Sequence, residues 1–301
     1  MFRTLITAEL LQHFLESDYP LTHRGNPIMV FDCTYDLFNP EIGLQQFDGS
    51  HIPGAIYVKL DTHLSVKDDP SAVSGGRHPL PSRENFAAWL SSIGFTNSHQ
   101  AIVYDRNDMN FCGRLWWMLK WVGHDAVAIL NGSLDTWNAI GGALANKQTD
   151  SASKTKPDSR SNFVLGDELC ALATIDTVAS SLHKPNQTLI DARAPARFRG
   201  EVEPLDPVAG HIPGALNRPL NANLDADGKF KPASVLKHEF AQLLAGRDPS
   251  TVVHHCASGV RAVPNLLAME LAGFGRQALF AGSWSEWCSD PTRPVARGVE
   301  V

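Results

Sequence analysis

Cys256 lies in a sequence context that favours a reactive thiolate. A β-branched run from Thr251 leads into it, a short glycine-containing loop follows, and a helical pattern runs from Arg261 to Leu271. The N–H groups of such a loop point at the sulfur, and the helix dipole adds partial positive charge. Both effects favour the thiolate, which is the nucleophilic form of cysteine. We therefore expect Cys256 to be a catalytic nucleophile within an active-site loop formed by the residues that follow it, Ala257, Ser258, Gly259, Val260, Arg261 and Ala262.

Alternating strands and helices must position this thiol. In the first half of the chain, short apolar runs at 27–33, 56–60, 101–105 and 126–130 predict strands. Helical patterns occupy 1–15, 83–93, 115–122 and 132–140. This alternation predicts an α/β fold, with a mostly parallel sheet covered by helices on both faces.

The pattern occurs twice, which predicts a tandem duplication. His51-Ile-Pro-Gly-Ala55 recurs identically as His211-Ile-Pro-Gly-Ala215, and a Gly-Ser pair followed by Trp recurs at 132–137 and 282–287. A polar, apolar-poor stretch between the halves is typical of a linker. We expect a first domain over 1–145, a linker over 146–166 and a second domain over 167–301. Aligning the halves, with one residue of slack, places Asp105 opposite Cys256, so only the second domain carries the thiol.

Composition excludes several other classes of protein. A net charge of −6 without a dense Lys/Arg block argues against nucleic-acid binding, and no stretch is apolar enough for a membrane span. The five cysteines are odd in number and widely spaced, and none forms a Cys-x-x-Cys pair. This spacing argues against a disulfide framework and against a zinc site. We expect a cytoplasmic enzyme that needs no metal or other cofactor.

Together these residues resemble the two-domain rhodanese-type sulfurtransferases, the thiosulfate and 3-mercaptopyruvate sulfurtransferase family. The resemblance rests on the two His-Ile-Pro-Gly-Ala motifs, the Cys256 loop, Asp191-Ala-Arg193 with Arg197-Phe198, and Gly282-Ser-Trp-Ser-Glu-Trp287. It implies two tandem rhodanese-like domains, the first catalytically silent with Asp105 at the cysteine position. It also implies sulfur transfer through a Cys256 persulfide to cyanide, a thiol or thioredoxin. The amide cradle that stabilises the thiolate would also stabilise the persulfide anion.

The resemblance further implies which residues bind the sulfur donor. Arg193 and Arg197 match positions that bind the donor's carboxylate, a task that suits guanidinium geometry. Small neutral residues after the cysteine, here with Ser258 as a hydrogen-bond donor, are typical of members that prefer 3-mercaptopyruvate. Arg261 departs from the family's usual hydroxyl residue and would favour a dianion such as thiosulfate. His78 is expected to face the site, without the acidic neighbour that the family often has.

The same loop raises an alternative, a cysteine-dependent phosphatase or arsenate reductase. Cys256, an amide nest and Arg261 are the ingredients of a phosphate-binding loop. Four residues separate Cys256 from Arg261, whereas phosphatase loops of this type have one residue more. The tighter loop favours a sulfur atom over a phosphoryl group, and the sequence has no evident Asp general acid near the loop. Sulfur transfer is therefore the preferred hypothesis.

Overall fold

The structure, a computed structural model, describes residues 1–16, 25–150 and 162–298. The chain divides into two compact units, one made of Met1–Ser65 with Pro81–Leu169 and the other of Val66–Leu80 with Cys170–Val301. The predicted boundaries differ from this division in Val66–Leu80, which belongs to the first half of the sequence but packs within the second unit. Residues 151–161 of the predicted linker lie outside the described residues.

The first unit is a five-stranded parallel sheet flanked by helices. Its strands are β1 (Leu5–Ile6), β2 (Ile28–Asp32), β3 (Ile56–Tyr57), β4 (Gln100–Tyr104) and β5 (Val127–Leu130), and their order in the sheet is β1-β5-β4-β2-β3. Its helices are α1 (Ala8–Leu15), α2 (Glu41–Gly49), α3 (Leu60–His63), α4 (Arg83–Ser92), α5 (Cys112–Trp121), α6 (Ser133–Ala139) and α7 (Lys147–Asp150).

The expectation of one helix over 1–15 is wrong in its first half. Leu5 and Ile6 instead form β1, which pairs with β5 in parallel at the edge of the sheet. Thr7 then begins α1, because its side chain accepts a hydrogen bond from the backbone N–H of Leu10. Such a cap satisfies a backbone donor that the first helical turn leaves unpaired.

The second unit repeats this architecture. Its strands are β6 (Ala171–Leu172), β7 (Thr188–Asp191), β8 (Leu216–Asn217), β9 (Val252–His255) and β10 (Ala278–Leu279), and their order in the sheet is β6-β10-β9-β7-β8. Its helices are α8 (Ile175–Ser180), α9 (Pro195–Phe198), α10 (Ala233–Leu244), α11 (Val263–Leu271) and α12 (Ser283–Trp287), and 3-10 turns cover Leu220–Asn223 and Pro249–Thr251. All pairings between the named strands of both sheets are parallel, which confirms the predicted tandem α/β fold.

Strand register establishes which residues of the two units are equivalent. In the first unit Asp32 pairs with Tyr104, and in the second Asp191 pairs with His255. The next residue along the chain is Asp105 in one unit and Cys256 in the other. The alignment of Asp105 with Cys256 is thereby confirmed, and both lie at the carboxyl end of a central strand. In α/β sheets this edge is where ligands bind.

The repeated motifs serve the apolar core of each unit. Ile52 and Trp137 are buried in the core cluster of the first unit, and Ile212 and Trp287 are buried in that of the second. The spacing that the two halves share therefore has a packing role in both copies. Within the described ranges, no helix is long and apolar enough to cross a membrane.

Candidate active site

Cys256 lies at the carboxyl end of β9, as the sequence predicts, and only 1% of the residue is exposed. The following helix, α11, begins at Val263 rather than at Arg261. Pro264 lies in its first turn, where a missing backbone N–H costs little. Residues 257–262 are therefore all loop, which leaves a full turn of backbone available to surround the sulfur.

The beginning of α12 anchors this loop. Ser283 has a left-handed φ of 55°, and its Oγ accepts the backbone N–H of Cys256 at 3.1 Å while donating to the Phe280 carbonyl at 2.9 Å. The N–H of Trp284 donates to the carbonyl of Cys256 at 3.0 Å. Sequence reasoning did not assign Ser283 to the site, although the repeated Gly-Ser pair was a signal for it.

Gly259 allows the loop to pack closely against the neighbouring chain. Its φ is +71°, and a Cβ atom built on it would lie 2.2 Å from the carbonyl oxygen of Ala281. A left-handed φ favours glycine, and so close an approach to a backbone atom leaves no room for a Cβ. The path of the loop around the thiol is therefore fixed by packing against the segment before α12.

A cavity of about 360 Å³ opens beside Cys256 at this edge of the sheet. It brings together the thiol and three arginines that the sequence predicted for the site. Its walls are formed by Ala192, Arg193, Ala194, Pro195, Arg197, Pro219, Leu220, Asn221, Cys256, Ala257 and Arg261. A cysteine thiol and three guanidinium groups in one wall suit a small anionic ligand.

Arg193 reaches the cavity wall but is held by its own partners. It is buried, and its Nε and Nη2 donate to the carboxylate of Asp191 at 2.7 to 3.2 Å. Its Nη2 also donates to the Gly210 carbonyl at 2.7 Å, and its guanidinium lies over the ring of Trp284. Burial alone would raise the pKa of Asp191, but the Arg193 charge lowers it below its ordinary value. Arg193 therefore supports the cavity wall as well as lining it.

Arg197 forms ion pairs through only part of its guanidinium group. Its Nε donates to Glu203 at 3.2 Å, and its Nη2 contacts Glu203 at 2.5 Å and Asp206 at 3.3 Å. Among the described residues its Nη1 makes no hydrogen bond. The structure thus adds two carboxylates, Glu203 and Asp206, that sequence reasoning missed. Their proximity in sequence to Arg197 was the available signal.

Arg261 and Ser258 occupy different surroundings within the same loop. Arg261 is exposed and lines the cavity. Ser258 is buried, and its Oγ lies 2.8 Å from Nδ1 of His78, which is also buried. Since Val66–Leu80 packs within the second unit, His78 meets the cysteine loop inside one compact body.

The two histidines before the thiol are core residues in this structure. His254 and His255 are fully buried, and His254 contacts the sulfur of Met269 at 3.2 Å while His255 lies 4.0 Å from Asp191. Burial lowers the pKa of both imidazoles, that of His254 to about 3. Both rings are therefore neutral near pH 7 and belong to the buried interior of the unit.

The equivalent loop of the first unit surrounds a carboxylate. Asp105 is fully buried and accepts backbone N–H bonds from Asn107, Met109, Phe111 and Cys112 at 2.8 to 3.0 Å. Burial raises the pKa of Asp105, while these donors oppose that shift. The first unit thus keeps an anion-binding loop, with its own side chain as the bound anion. Within the described parts of both units, no cluster of His, Cys, Asp or Glu could hold a metal ion.

Two parallel sheets of identical strand order, one ending in an aspartate loop and the other in a cysteine loop, define a tandem rhodanese-like protein. The sequence matches the rhodanese-like domain family over residues 21–140 and 174–290. It is 42% identical over 272 residues to a probable 3-mercaptopyruvate sulfurtransferase of Pseudomonas aeruginosa, covering 90% of this chain and 93% of that protein. It is 38% identical over 301 residues to a putative thiosulfate sulfurtransferase of Mycobacterium tuberculosis, covering 99% and 98% of the two chains.

A solved structure agrees with these sequence relatives. The crystal structure of SseA from Escherichia coli, described as a 3-mercaptopyruvate sulfotransferase, superposes with a TM-score of 0.72 at 27% identity. The match covers 93% of this chain and 98% of that one. The chain belongs to the two-domain rhodanese family of sulfurtransferases. It is an enzyme that transfers sulfur from a small-molecule donor.

Proposed function

We propose that Cys256 is the nucleophile and that sulfur passes through a Cys256 persulfide. The observation that carries this proposal is the position of Cys256, at a strand end and in the wall of the arginine-lined cavity. The proposed domains are those expected from the sequence, 1–145, the linker 146–166, and 167–301, with Val66–Leu80 packing within the second compact unit. The first domain is silent because Asp105 occupies its loop.

The proposed first step balances for both candidate donors. With thiosulfate, the Cys256 thiolate attacks the outer sulfur, the S–S bond breaks, and sulfite leaves with the electron pair. With 3-mercaptopyruvate, the thiolate attacks the thiol sulfur and the C–S bond breaks. The electron pair moves onto the carbonyl as the enolate of pyruvate, which then takes a proton at carbon. In each case Cys256 keeps the transferred sulfur, and the loop N–H groups stabilise the anion.

Both donors fit features of this cavity. For 3-mercaptopyruvate, Nη1 of Arg197 is the group that we assign to the carboxylate, with Arg193 supporting the wall. For the carbonyl oxygen that becomes the enolate, we assign the Ser258–His78 pair of the cysteine loop, which is buried and is not among the residues that line the cavity. For thiosulfate, the exposed Arg261 adds positive charge at the cavity. We therefore propose that the enzyme uses 3-mercaptopyruvate and also accepts thiosulfate.

The proposed acceptor is cyanide or a thiol, including the thiols of thioredoxin. Such a nucleophile attacks the outer sulfur of the persulfide and regenerates the Cys256 thiolate. All five cysteines lie in the described part of the chain, are buried and form no disulfide, which supports a reducing cytoplasm as the site of action.

The test compares Cys256→Ser with the matched variant Cys288→Ser, since Cys288 is a second buried thiol of the same unit. Thiocyanate formation from cyanide is measured with each donor, and persulfide formation is read as the mass gain of one sulfur atom. We expect Cys256→Ser to lose both signals and Cys288→Ser to keep both. Retained transfer in Cys256→Ser would place the nucleophile elsewhere. Release of phosphate from p-nitrophenyl phosphate without thiocyanate formation would favour the phosphatase alternative.

A further inference from the structure

The segment Val66–Leu80, called the strap here, carries a second feature of the site. It belongs to the second compact unit, although the chain on both sides of it belongs to the first. Its hydrogen bonds reach residues of α12, of the loop after α9 and of the cysteine loop. These hydrogen bonds therefore fix the strap next to the loop that follows Cys256.

Two glycines bring the strap backbone against α12. The N–H of Gly75 donates to the carboxylate of Glu286 at 3.0 Å. A Cβ on Gly75 would lie 2.6 Å from that carboxylate, and one on Gly76, whose φ is +82°, would lie 2.5 Å from the Gly282 carbonyl. At Gly76 the left-handed φ and the contact with a backbone atom favour glycine, whereas at Gly75 the neighbour is the end of the flexible Glu286 side chain. The strap is thus built for contact with the beginning of α12.

Arg77 of the strap forms an ion pair with a buried carboxylate. Its Nη1 lies 2.5 Å from Oδ1 of Asp206, whose side chain is only 3% exposed. The other oxygen of Asp206 contacts Arg197, a residue of the cavity wall. A carboxylate this buried needs partners, because an unpaired buried charge is costly. Asp206 therefore links Arg77 of the strap to Arg197 in the wall of the cavity.

His78 follows Arg77 directly and meets the cysteine loop. Its Nδ1 lies 2.8 Å from the Oγ of Ser258, which is two residues from Cys256. Consecutive Cα atoms are about 3.8 Å apart, so fixing the guanidinium of Arg77 restricts where the imidazole of His78 can be. These two adjacent strap residues thus connect Asp206 on one side with Ser258 on the other.

We propose that Arg77, through its ion pair with Asp206, is a positioning residue that holds His78 against Ser258 during sulfur transfer. This inference rests on the proposed role of Cys256 and its loop. Arg77 itself does not touch the donor. Its contribution is to keep the Ser258–His78 hydrogen bond aligned, and a displacement of about 1 Å at such a site can lower the rate by about a hundredfold.

A double-mutant cycle tests the proposal, using kcat/KM with 3-mercaptopyruvate for Arg77→Ala, His78→Ala and the double variant. We expect each single substitution to lower kcat/KM by roughly tenfold to a hundredfold. Because Arg77 acts through His78, the double variant should be no slower than His78→Ala. Arg77→Lys, which keeps the charge, should recover part of the loss. The matched control is Arg199→Ala, which removes an exposed ion pair with Glu201 in the same unit.

Three results would overturn the proposal: Arg77→Ala with wild-type kcat/KM, losses that multiply in the double variant, or the same loss in Arg199→Ala. Multiplying losses would show that Arg77 acts independently of His78, as a donor-binding or purely structural residue would. Cys256→Ser, assayed beside these variants, separates this inference from the proposed function. If Cys256→Ser retains transfer, the proposed function fails, whereas its inactivity together with multiplying losses rejects only the role of Arg77.

Discussion

Gly259→Ala is the sharpest test of the idea that the backbone path around Cys256 makes the site work. The added methyl group would lie 2.2 Å from the Ala281 carbonyl oxygen and 2.7 Å from its Cα atom. Neither neighbour is a flexible side chain, so the loop and the Ala281 segment must separate by about 1 Å to restore ordinary contact. That movement displaces the loop backbone that follows Cys256.

Gly259→Ala is expected to lower both the folding stability and kcat/KM, and a control variant separates these two effects. The left-handed φ of +71° costs alanine about 1 kcal/mol, independent of space. Gly273 has a similar φ of +82°, but apart from its chain neighbours no atom of the described residues lies within 4 Å of the position that a Cβ would occupy, so Gly273→Ala carries only this first cost. The displacement at Gly259 adds a loss in kcat/KM of about a hundredfold.

The assay is steady-state thiocyanate formation with each donor, run beside thermal unfolding of both variants. We expect Gly273→Ala to keep wild-type kcat/KM and Gly259→Ala to lose most of it while remaining folded. The reasoning is refuted if folded Gly259→Ala stays within about threefold of Gly273→Ala, a difference of less than about 1 kcal/mol in transition-state stabilisation.

Three further outcomes follow from other residues. Arg261→Thr should raise the ratio of kcat/KM for 3-mercaptopyruvate over thiosulfate by roughly fivefold, because an exposed charge contributes about 1 kcal/mol; an unchanged ratio would mean that Arg261 does not meet the donor. Asp105→Asn should destabilise the first unit by about 3 kcal/mol, because the new amide NH₂ would face backbone N–H donors. Thermal unfolding measures this loss, and Asp135→Asn, a control at an exposed position, should leave the stability unchanged. His254 has a folded pKa of about 3 and an unfolded one of about 6.5, so between these values the unfolded chain binds the extra proton and stability falls as pH drops. From pH 7 to pH 5 the free energy of unfolding should therefore fall by about 2 kcal/mol through His254. His254→Leu lacks this titrating group, so its Tm should fall by roughly 7 °C less than that of the wild type over the same change in pH. Equal decreases in Tm would contradict the low pKa assigned to His254.

The tandem fold and the position of the thiol could be predicted from the sequence. The identical His-Ile-Pro-Gly-Ala motifs exposed the duplication, and the β-branched run before Cys256 placed it at a strand end. Both signals are local, since they depend on residues adjacent in the chain. The assignment of Asp105 opposite Cys256 followed from the repeat, and strand register confirms it.

The partners of the polar residues were decided only by tertiary structure. Arg193 and Arg197 are paired with Asp191, Glu203 and Asp206, and no spacing rule specifies which carboxylate a long, flexible guanidinium side chain will reach. His78 meets Ser258 across 180 positions of sequence because the strap packs with the second unit rather than the first. Sequence patterns record the periodicity of burial and the local chemistry of turns, whereas contacts between distant segments depend on how whole elements pack. The sequence therefore determines the duplicated sheet and the cysteine loop. The packing of the strap and of the segment that carries Glu203 and Asp206 decides how that thiol is surrounded.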